Sequence, residues 1–445
     1  MTKISRFAPS PTGFLHVGNM RVAIINFLFS KKNNGKFLLR FDDTDTQRVK
    51  NEYRDMILRD MKWLGLEFDS LSKQSERLDK YEKAKEYLIK TGRLYECFES
   101  QEELNLQRKS QVASGQKPIY NRFSLNLTKE QKENFIAQGL KPHYRFLLED
   151  KIIAWNDKIK GKISYEGLHF SDPILIREGG VPTYTFCSVV DDIEMKITDI
   201  IRGEDHITNT VIQTQIFESL GAKVPDFAHL ALVKASEGKI SKREGGFDIK
   251  SLRQDGFEPM AIVNLLAQIG TSGNVEIHKN FDELINNFSF ERFSKSATNY
   301  DILELNNINQ KLLQVLDFAD IKHRLEEIGV QEEISERFWD SVKGNINFLH
   351  EIKVWIEVIY KNFRNQNNEQ DKEFLVICAE VLPENTVDEN CWNLWLEAIK
   401  TKTNRKGKEL FMPIRLALTG KEHGFELKNL INLIARAEII ARLQN

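Results

Sequence analysis

The chain has 445 residues, of which 41% are hydrophobic and 29% charged, and its formal net charge is −2. Because a single core stops growing well below this length, several domains are expected. No run of about 18 apolar residues occurs, and the polar start Met1–Arg6 lacks the features of a signal peptide, so we expect neither a membrane span nor secretion. The near-neutral charge does not indicate nucleic-acid binding, so basic residues that contact RNA must cluster on one face.

The cysteines are far apart in the sequence and form no CxxC pair; they are Cys97, Cys187, Cys378 and Cys391. This spacing argues against a disulfide framework and against a structural zinc site. We therefore expect a protein of the reducing cytoplasm.

The first forty residues predict a strand, a helix and a second strand. Lys3–Ala8 is typical of a strand, and the proline-rich turn Pro9–Gly13 follows it. Gly35 is a candidate for the cap that ends the helix, and Lys36–Phe41 predicts the next strand. The unit implies a parallel sheet. One apolar face defines the helix: Met20, Ala23, Ile24, Phe27 and Leu28.

Further along, two amphipathic helices are predicted, over Glu52–Leu64 and Asp79–Lys90. The sequence from Glu96 to Asp150 is polar and shows no regular hydrophobic pattern, which indicates that it is part of an insertion. A strand pattern returns around Pro182–Thr198. After a short apolar run at His229–Val233 comes the glycine-containing, lysine-rich loop 234–246, and from Gln310 onward the periodicity predicts only helices.

The first candidate for chemistry is His16-Val-Gly18-Asn19, where the first helix begins. A helix N-terminus attracts anions, an imidazole there can donate to a phosphate oxygen, and Gly18 lets a flat ring approach the backbone. Taken alone, a histidine at a helix start is more often a cap or a surface residue.

The second candidate is Lys239-Ile-Ser241-Lys242-Arg243, in a loop with glycines on both sides. Three cations in five residues suit a polyphosphate that gains charge as it leaves. In isolation, a solvated basic loop is the simpler interpretation.

Together, the two elements resemble the two signatures of class I aminoacyl-tRNA synthetases. Neighbouring segments over residues 6–246 are similar to those of bacterial glutamyl-tRNA synthetases, whereas the C-terminal third is similar only in its helical character. These segments are Arg6–Gly13, Leu15–Gly18, Leu39–Asp45, Gly180–Tyr184, Val189–Asp192, and Arg202–His206 with Asn209–Thr210.

The resemblance implies an α/β protein with a Rossmann-type parallel-sheet catalytic domain, an inserted acceptor-binding α+β domain and an all-helical C-terminal anticodon-binding region. The implied divisions are 1–85 for the first catalytic half, 86–182 for the insertion, 183–248 for the second half, 249–315 for a stem-contact helical domain and 316–445 for the anticodon-binding domain.

The implied reaction has two steps. The α-carboxylate of glutamate attacks ATP, supplied with Mg²⁺, to give glutamyl-adenylate, and the terminal ribose of a tRNA then takes the acyl group. The implied partners of a monomeric enzyme are glutamate, ATP and tRNA-Glu. Charging of tRNA-Gln as well stays open, as does a relationship to glutaminyl enzymes.

Roles at the ATP site also follow from the resemblance. His16 is expected to contact the phosphates, with Lys242 as the second catalytic residue, helped by Lys239 and Ser241. Gly18, Gly203 and Asp205 complete the nucleotide site. The family's first signature often ends in His where this chain has Asn19.

For glutamate, Arg6 and Arg202 are expected to bind the side-chain carboxylate. Asp42 matches the partner of the α-amino group, where relatives more often have Glu. The pocket lining is expected to comprise Ala8, Ser10, Tyr184 and Ser188. Some relatives carry a Cys/His zinc cluster in the insertion; since only Cys97 lies there, no zinc is predicted.

Simpler interpretations remain for several residues. Arg6 can pair with the Asp42–Asp45 cluster, Tyr184 can be a core aromatic, His206 can be structural, and Asp191-Asp192 can be a hydrogen-bonding pair at a strand end.

Rival functions are a small-molecule nucleotidylyltransferase, an enzyme that attaches glutamate to a modified tRNA base, and a non-catalytic RNA-binding protein. The long helical C-terminus argues against the first two.

Overall fold

The computed structural model describes residues 2–45, 47–235, 247–360, 368–386, 390–424 and 426–445. The chain divides into two compact units, Met1–Asp255 with Ile262–Ile302, and Gly256–Ala261 with Leu303–Asn445. Within the described ranges, no helix is long and apolar enough to cross a membrane. The predicted loop Lys239–Arg243 lies outside the described residues.

The first part of the α/β unit confirms the predicted strand-helix-strand order. Strands β1, β2 and β3 are parallel neighbours, with Arg6 of β1 beside Leu38 of β2. Its elements are β1 (Ile4–Phe7), α1 (Val17–Lys32), β2 (Lys36–Phe41), α2 (Asn51–Trp63), β3 (Ser70–Lys73) and α3 (Leu78–Lys90).

Helix α1 is buried along its predicted apolar face, and Met20, Ala23 and Ile24 are fully enclosed. Its end differs from the prediction. Asn34, not Gly35, has the left-handed conformation, with φ 49°. Gly35 is needed for another reason, because a Cβ there would lie 2.2 Å from the carbonyl oxygen of Lys3.

The segment predicted to be an insertion combines a three-stranded antiparallel sheet, a hairpin and two helices. The expectation of irregular structure over Glu96–Asp150 is therefore wrong for one strand and for the two helices, neither of which has a buried residue. In chain order the elements are β4 (Leu94–Cys97), α4 (Gln101–Ala113), α5 (Lys129–Ala137), β5 (His143–Phe146), β6 (Ile152–Asp157), β7 (Gly161–Glu166) and β8 (Ile174–Ile176).

The strand predicted around Pro182–Thr198 is wrong, because its central part forms a helix. Every residue of Phe186–Asp192 is buried, which removes the polar face that distinguishes a helix from a buried strand. The elements of this part are α6 (Tyr184–Glu194), β9 (Asp199–Gly203), α7 (Ile207–Ser219), β10 (Asp226–Leu230) and β11 (Val233–Ala235).

Strands β9 and β10 are parallel, and β9 lies beside β1. The backbone N–H of Thr198, just before β9, donates to the carbonyl oxygen of Ile4 at 2.9 Å. The carboxyl ends of β1, β2, β9 and β10 therefore lie near one another. The elements that follow are α8 (Ile249–Gln254), α9 (Pro259–Gln268), α10 (Phe281–Asn287) and β12 (Thr298–Tyr300), which pairs with β11.

The described elements from Ile302 onward are all helical, as the periodicity predicts. Trp339 and Trp395 are fully buried in their core, and the indole of Trp395 donates to the carbonyl of Cys378 at 2.8 Å. They are α11 (Ile302–Val315), α12 (Phe318–Ile328), α13 (Ser335–Val342), α14 (Ile352–Tyr360), α15 (Lys372–Glu380), α16 (Cys391–Lys402), α17 (Lys408–Thr419), α18 (Leu427–Ile431) and α19 (Arg436–Leu443).

Candidate active site

A cleft of about 600 Å³ opens at the carboxyl ends of the parallel strands. Open α/β sheets bind ligands at this edge. Most of the predicted site residues line it: Arg6, Ala8, Ser10, His16, Gly18, Asp42, Tyr184, Arg202, Gly203 and Asp205. Lys239, Ser241 and Lys242 are outside the described residues.

Ser188 is the exception among the described site residues. It is fully buried on α6 and is not part of the cleft lining. Its hydroxyl accepts a hydrogen bond from the side-chain amide of Gln213 at 2.7 Å. The residue therefore connects α6 to α7 and does not line the pocket.

His16 is the N-cap of α1. Its Nδ1 accepts hydrogen bonds from the backbone N–H groups of Gly18 (3.1 Å) and Asn19 (3.4 Å), and the N–H of Val17 donates to the carbonyl of Phe247 at 3.0 Å. The backbone N–H groups of Val17, Gly18 and Asn19 are therefore satisfied by the protein itself and are not left for an anion. Because Nδ1 accepts, the ring proton of neutral His16 is on Nε2, which is the atom that can donate.

Gly18 allows this cap, since a Cβ at its position would lie 3.0 Å from ring atoms of His16. The ring that approaches this glycine is thus the protein's own imidazole. Gly203 has a similar role at the end of β9, where a Cβ would lie 2.3 Å from Oδ1 of Asp205. Both glycines let a functional side chain fold back against the backbone.

Arg6 is bound by Asp192 of α6, not by the Asp42–Asp45 cluster. Its Nε and Nη2 donate to the two carboxylate oxygens of Asp192 at 3.1 and 3.3 Å. Both side chains are less than 5% exposed. Burial alone would raise the pKa of Asp192, but Arg6 and Arg40 reverse the effect and hold that pKa below its usual value.

Arg40 is a buried residue beside the cleft to which the sequence assigned no role. It is fully buried in β2; its Nε and Nη2 donate to Asp42 at 2.7 and 3.3 Å, and its Nη1 donates to Asp192 at 2.7 Å. One guanidinium therefore fixes both carboxylates. Burial raises the pKa of Asp42 to about 6, although Arg40 opposes the shift.

Asp191 and Asp192 are a hydrogen-bonding pair, as their simpler interpretation states, but they lie on a helix. Asp191 accepts from Arg77 (2.6 Å), Tyr81 (2.8 Å) and Gln74 (2.9 Å). Both carboxylates are thus committed to protein donors.

Arg202 differs from the other arginines of the cleft. Its Nη2 donates to the hydroxyl of Thr210 at 2.7 Å, and its side chain forms no ion pair among the described residues. Its Nε and Nη1 are buried and make no hydrogen bond of normal geometry within the described part of the chain. Burial lowers the pKa of Arg202, and the neighbouring hydroxyl of Tyr184 partly offsets this.

The buried ion pairs beside the cleft are balanced, and Arg202 is not part of them. Among the described residues, three arginines form ion pairs with three aspartates, whereas Arg202 forms none. The paired residues are Arg6, Arg40, Arg77, Asp42, Asp191 and Asp192. Since a buried charge without a partner is costly, the cleft favours an anion beside Arg202.

Tyr184 and His206 line the same wall with ring centroids 5.7 Å apart, so Tyr184 is more than a core aromatic. Burial and the positive charge of Arg202 lower the pKa of His206 to about 4, although the carboxylate of Asp205 opposes the shift. His206 is therefore neutral near pH 7, and its Nδ1 lies 3.1 Å from Nδ2 of Asn209.

The inserted sheet brings together one set of possible metal ligands among the described residues, Cys97, Glu99 and His143. Glu99 already accepts from the hydroxyls of Tyr120 (2.6 Å) and Ser124 (2.9 Å). Burial raises the pKa of the Cys97 thiol to about 11, which disfavours the thiolate that binds metals. The absence of zinc stays a prediction.

Comparison with known proteins matches both parts of the chain. The family of class I tRNA synthetases (E and Q), catalytic domain, matches residues 4–307, and an anticodon binding domain matches residues 309–445. The chain therefore belongs to the class I tRNA synthetases for glutamate and glutamine. As a member of this class it is an aminoacyl-tRNA synthetase that uses ATP as a substrate.

Individual relatives are similar over the full length. Glutamate–tRNA ligase 2 of Orientia tsutsugamushi (strain Boryong) is 52% identical over 445 residues, covering 100% of this chain and 99% of its own. Glutamate–tRNA ligase 1 of Rickettsia bellii (strain OSU 85-389) is 49% identical, with 100% of both chains covered. A crystal structure of a glutamate tRNA ligase from Elizabethkingia meningosepticum in complex with its amino acid superposes with a TM-score of 0.86 at 28% identity, over 100% of this chain and 98% of that one.

Proposed function

We propose that this chain ligates L-glutamate to tRNA, with ATP as the energy source and glutamyl-adenylate as the intermediate. The observation that carries the proposal is Arg202, a buried guanidinium that is held by Thr210 and forms no ion pair among the described residues. It lines the same cleft as Arg6 and the N-cap histidine of α1. An acidic amino acid supplies the missing negative charge.

Recognition of the amino acid uses both ends of the substrate. Arg202, next to Arg6, receives the side-chain carboxylate, and an arginine fork has only donors, so the NH₂ of glutamine would face another donor. The α-ammonium lies against Asp42, whose carboxylate is held by Arg40. Ala8, Ser10 and Tyr184 shape the wall between these two ends.

Activation depends on positioning and on charge stabilisation rather than on a protein nucleophile. The α-carboxylate of glutamate attacks the α-phosphorus of ATP, which arrives as its magnesium complex, and pyrophosphate leaves. Nε2 of His16 donates to a phosphate oxygen, and Gly18, Gly203 and Asp205 border the nucleotide. Lys242, with Lys239 and Ser241, holds the β- and γ-phosphates.

The remaining parts of the chain serve the tRNA. The insertion at 86–182 holds the acceptor end, 183–248 completes the catalytic domain, residues 249–315 contact the stem, and 316–445 read the anticodon. The partner is tRNA-Glu, and the enzyme acts as a monomer in the cytoplasm. Four free, buried cysteines are consistent with that reducing compartment.

ATP–pyrophosphate exchange with the full chain tests the proposal, in the presence and absence of tRNA. Exchange that depends on glutamate, followed by transfer of [¹⁴C]glutamate to tRNA-Glu, is the expected result. Exchange with no amino acid requirement, or acyl transfer to a base instead of the terminal ribose, would overturn it. Parallel reactions with tRNA-Gln determine whether that tRNA is also a substrate.

A further inference from the structure

We infer that a buried hydrogen-bond chain through Thr210, His229 and Asp157 positions Arg202 for the substrate carboxylate. The inference deepens the proposed function and rests on it. Asp157 belongs to the inserted hairpin, Thr210 to α7 and His229 to β10, so the three residues come from separate elements.

The chain is continuous and enclosed. Nη2 of Arg202 donates to Oγ1 of Thr210 at 2.7 Å, and Oγ1 lies 3.0 Å from Nε2 of His229. On the other side of the ring, Nδ1 of His229 lies 2.5 Å from Oδ2 of Asp157. Thr210, His229 and Asp157 are at most 2% exposed, so water does not compete for these contacts.

The protonation states fix one direction for the hydrogen bonds. Burial lowers the pKa of His229, so its ring is neutral near pH 7 and carries a single proton. That proton is on Nδ1, because ionised Asp157 can only accept. Nε2 then accepts from the hydroxyl of Thr210, which leaves the lone pairs of Oγ1 for Arg202. The carbonyl of His206, 3.2 Å from the same hydroxyl, is the longer alternative acceptor.

Asp157, at the far end of the hydrogen-bond chain, accepts several further hydrogen bonds. Its Oδ1 accepts from the backbone N–H groups of Ile159 (3.0 Å), Lys160 (3.0 Å) and His229 (3.2 Å). Burial would raise its pKa, but the hydrogen bond from His229 and the backbone donors lower the pKa to about 2. Its negative charge is thus stable and separated from Arg202 by two uncharged groups.

This separation has a consequence for binding. Arg6 is held by a carboxylate in direct contact, which takes up much of its charge. Arg202 is instead oriented by neutral acceptors, the hydroxyl of Thr210 at 2.7 Å and the carbonyl of His206 at 3.5 Å, so its charge stays available for the ligand. An acid–imidazole–hydroxyl arrangement can also activate a nucleophile, but Thr210 is fully buried and its oxygen is bound to Arg202, which favours positioning.

Steady-state ATP–pyrophosphate exchange with the full chain tests this role. Thr210→Val keeps the shape and removes the hydroxyl, so we expect the KM for glutamate to rise about tenfold, or 1.4 kcal/mol, with the KM for ATP unchanged. Thr210→Ser restores the hydroxyl and is expected to recover most of the affinity. Thr214→Val is the matched control on the same helix, because the buried hydroxyl of Thr214 has no partner among the described residues.

A second pair of variants probes the far end of the chain. Asp157→Asn should raise the KM for glutamate in the same direction but by less, and its effect should be less than additive with that of Thr210→Val. Equal increases in the KM for glutamate and ATP, failure of Thr210→Ser to recover, or full additivity would overturn the inference. A wild-type chain without glutamate-dependent exchange would instead contradict the proposed function itself.

Discussion

The arginines on the two sides of the cleft have different kinds of partner. On the acidic side, formed by Arg6, Arg40, Asp42 and Asp192, each cation contacts a carboxylate of the protein. On the Arg202 side, the guanidinium is held by the hydroxyl of Thr210 and forms no ion pair among the described residues. The positive charges on the acidic side are therefore paired within the protein, whereas the positive charge of Arg202 is available for a ligand.

The largest effect is expected for Arg202→Gln, which removes the guanidinium that has no ion pair among the described residues. Two charge-assisted hydrogen bonds to the substrate are lost, about 3–6 kcal/mol, so kcat/KM for glutamate should fall roughly 10²- to 10⁴-fold. The free energy of unfolding should stay the same or increase, because an unpaired buried charge is removed. Kinetics and urea unfolding of the same preparation check both parts. A strongly destabilised variant would mean that Arg202 stabilises the fold, as we expect for Arg40.

Arg40→Met should show the opposite pattern. It leaves Asp42 and Asp192 buried with fewer partners, and breaking a buried ion pair in this way costs about 3–5 kcal/mol of unfolding free energy. Urea unfolding measures the loss. Arg48→Met is the control, because Arg48 is 74% exposed in its pair with Asp45 and should change stability little. Equal stability of the two variants would argue against the acidic side as a structural network.

A third effect follows from Asp42, whose pKa burial raises to about 6. Only the ionised carboxylate attracts the α-ammonium of the substrate. As the pH falls from 7 to 5, Asp42 takes up a proton, so the KM for glutamate should rise about tenfold. Exchange kinetics over this range should lose the dependence in Asp42→Asn. A flat profile in the wild-type chain would remove Asp42 from ammonium binding.

The smallest effect is expected for Tyr184→Phe. It removes a neutral hydroxyl beside Arg202 and leaves the ring in contact with His206. A neutral hydrogen bond contributes about 0.5–1.5 kcal/mol, so the KM for glutamate should increase a few-fold at most. A loss as large as that of Arg202→Gln would mean that the hydroxyl itself contacts the carboxylate.

Local pattern explains which parts of the fold could be predicted. The unit β1–α1–β2 has a one-sided helix and apolar strands, and each signal occurs within a few residues. The prediction was wrong for helix α6 because every residue of Phe186–Asp192 is buried, so the sequence shows no polar face. Helices α4 and α5 have no buried face, yet both begin with capping boxes, Ser100 with Glu103 and Thr128 with Gln131, and this signal could have identified them.

In the site, too, only the residues that belong to local motifs could be predicted from the sequence. The resemblance grouped Arg6, His16, Asp42 and Arg202 in one predicted site because motifs carry them, and all four line the same cleft. It assigned no role to Arg40, although this residue lies in the family-like segment Leu39–Asp45, among apolar residues of β2. Asp157 and His229 are 72 positions apart, and only the folded chain brings them into contact.

The central claim is that the unbalanced positive charge beside Arg202 selects an acidic side chain. Aminoacylation of purified tRNA-Glu by the full chain, with [¹⁴C]glutamate or [¹⁴C]glutamine at equal concentration, tests it most directly. We expect glutamate to be attached and glutamine to react at least about 100-fold more slowly, since the mispaired amide leaves a buried donor unsatisfied. Equal or faster charging with glutamine would contradict the account.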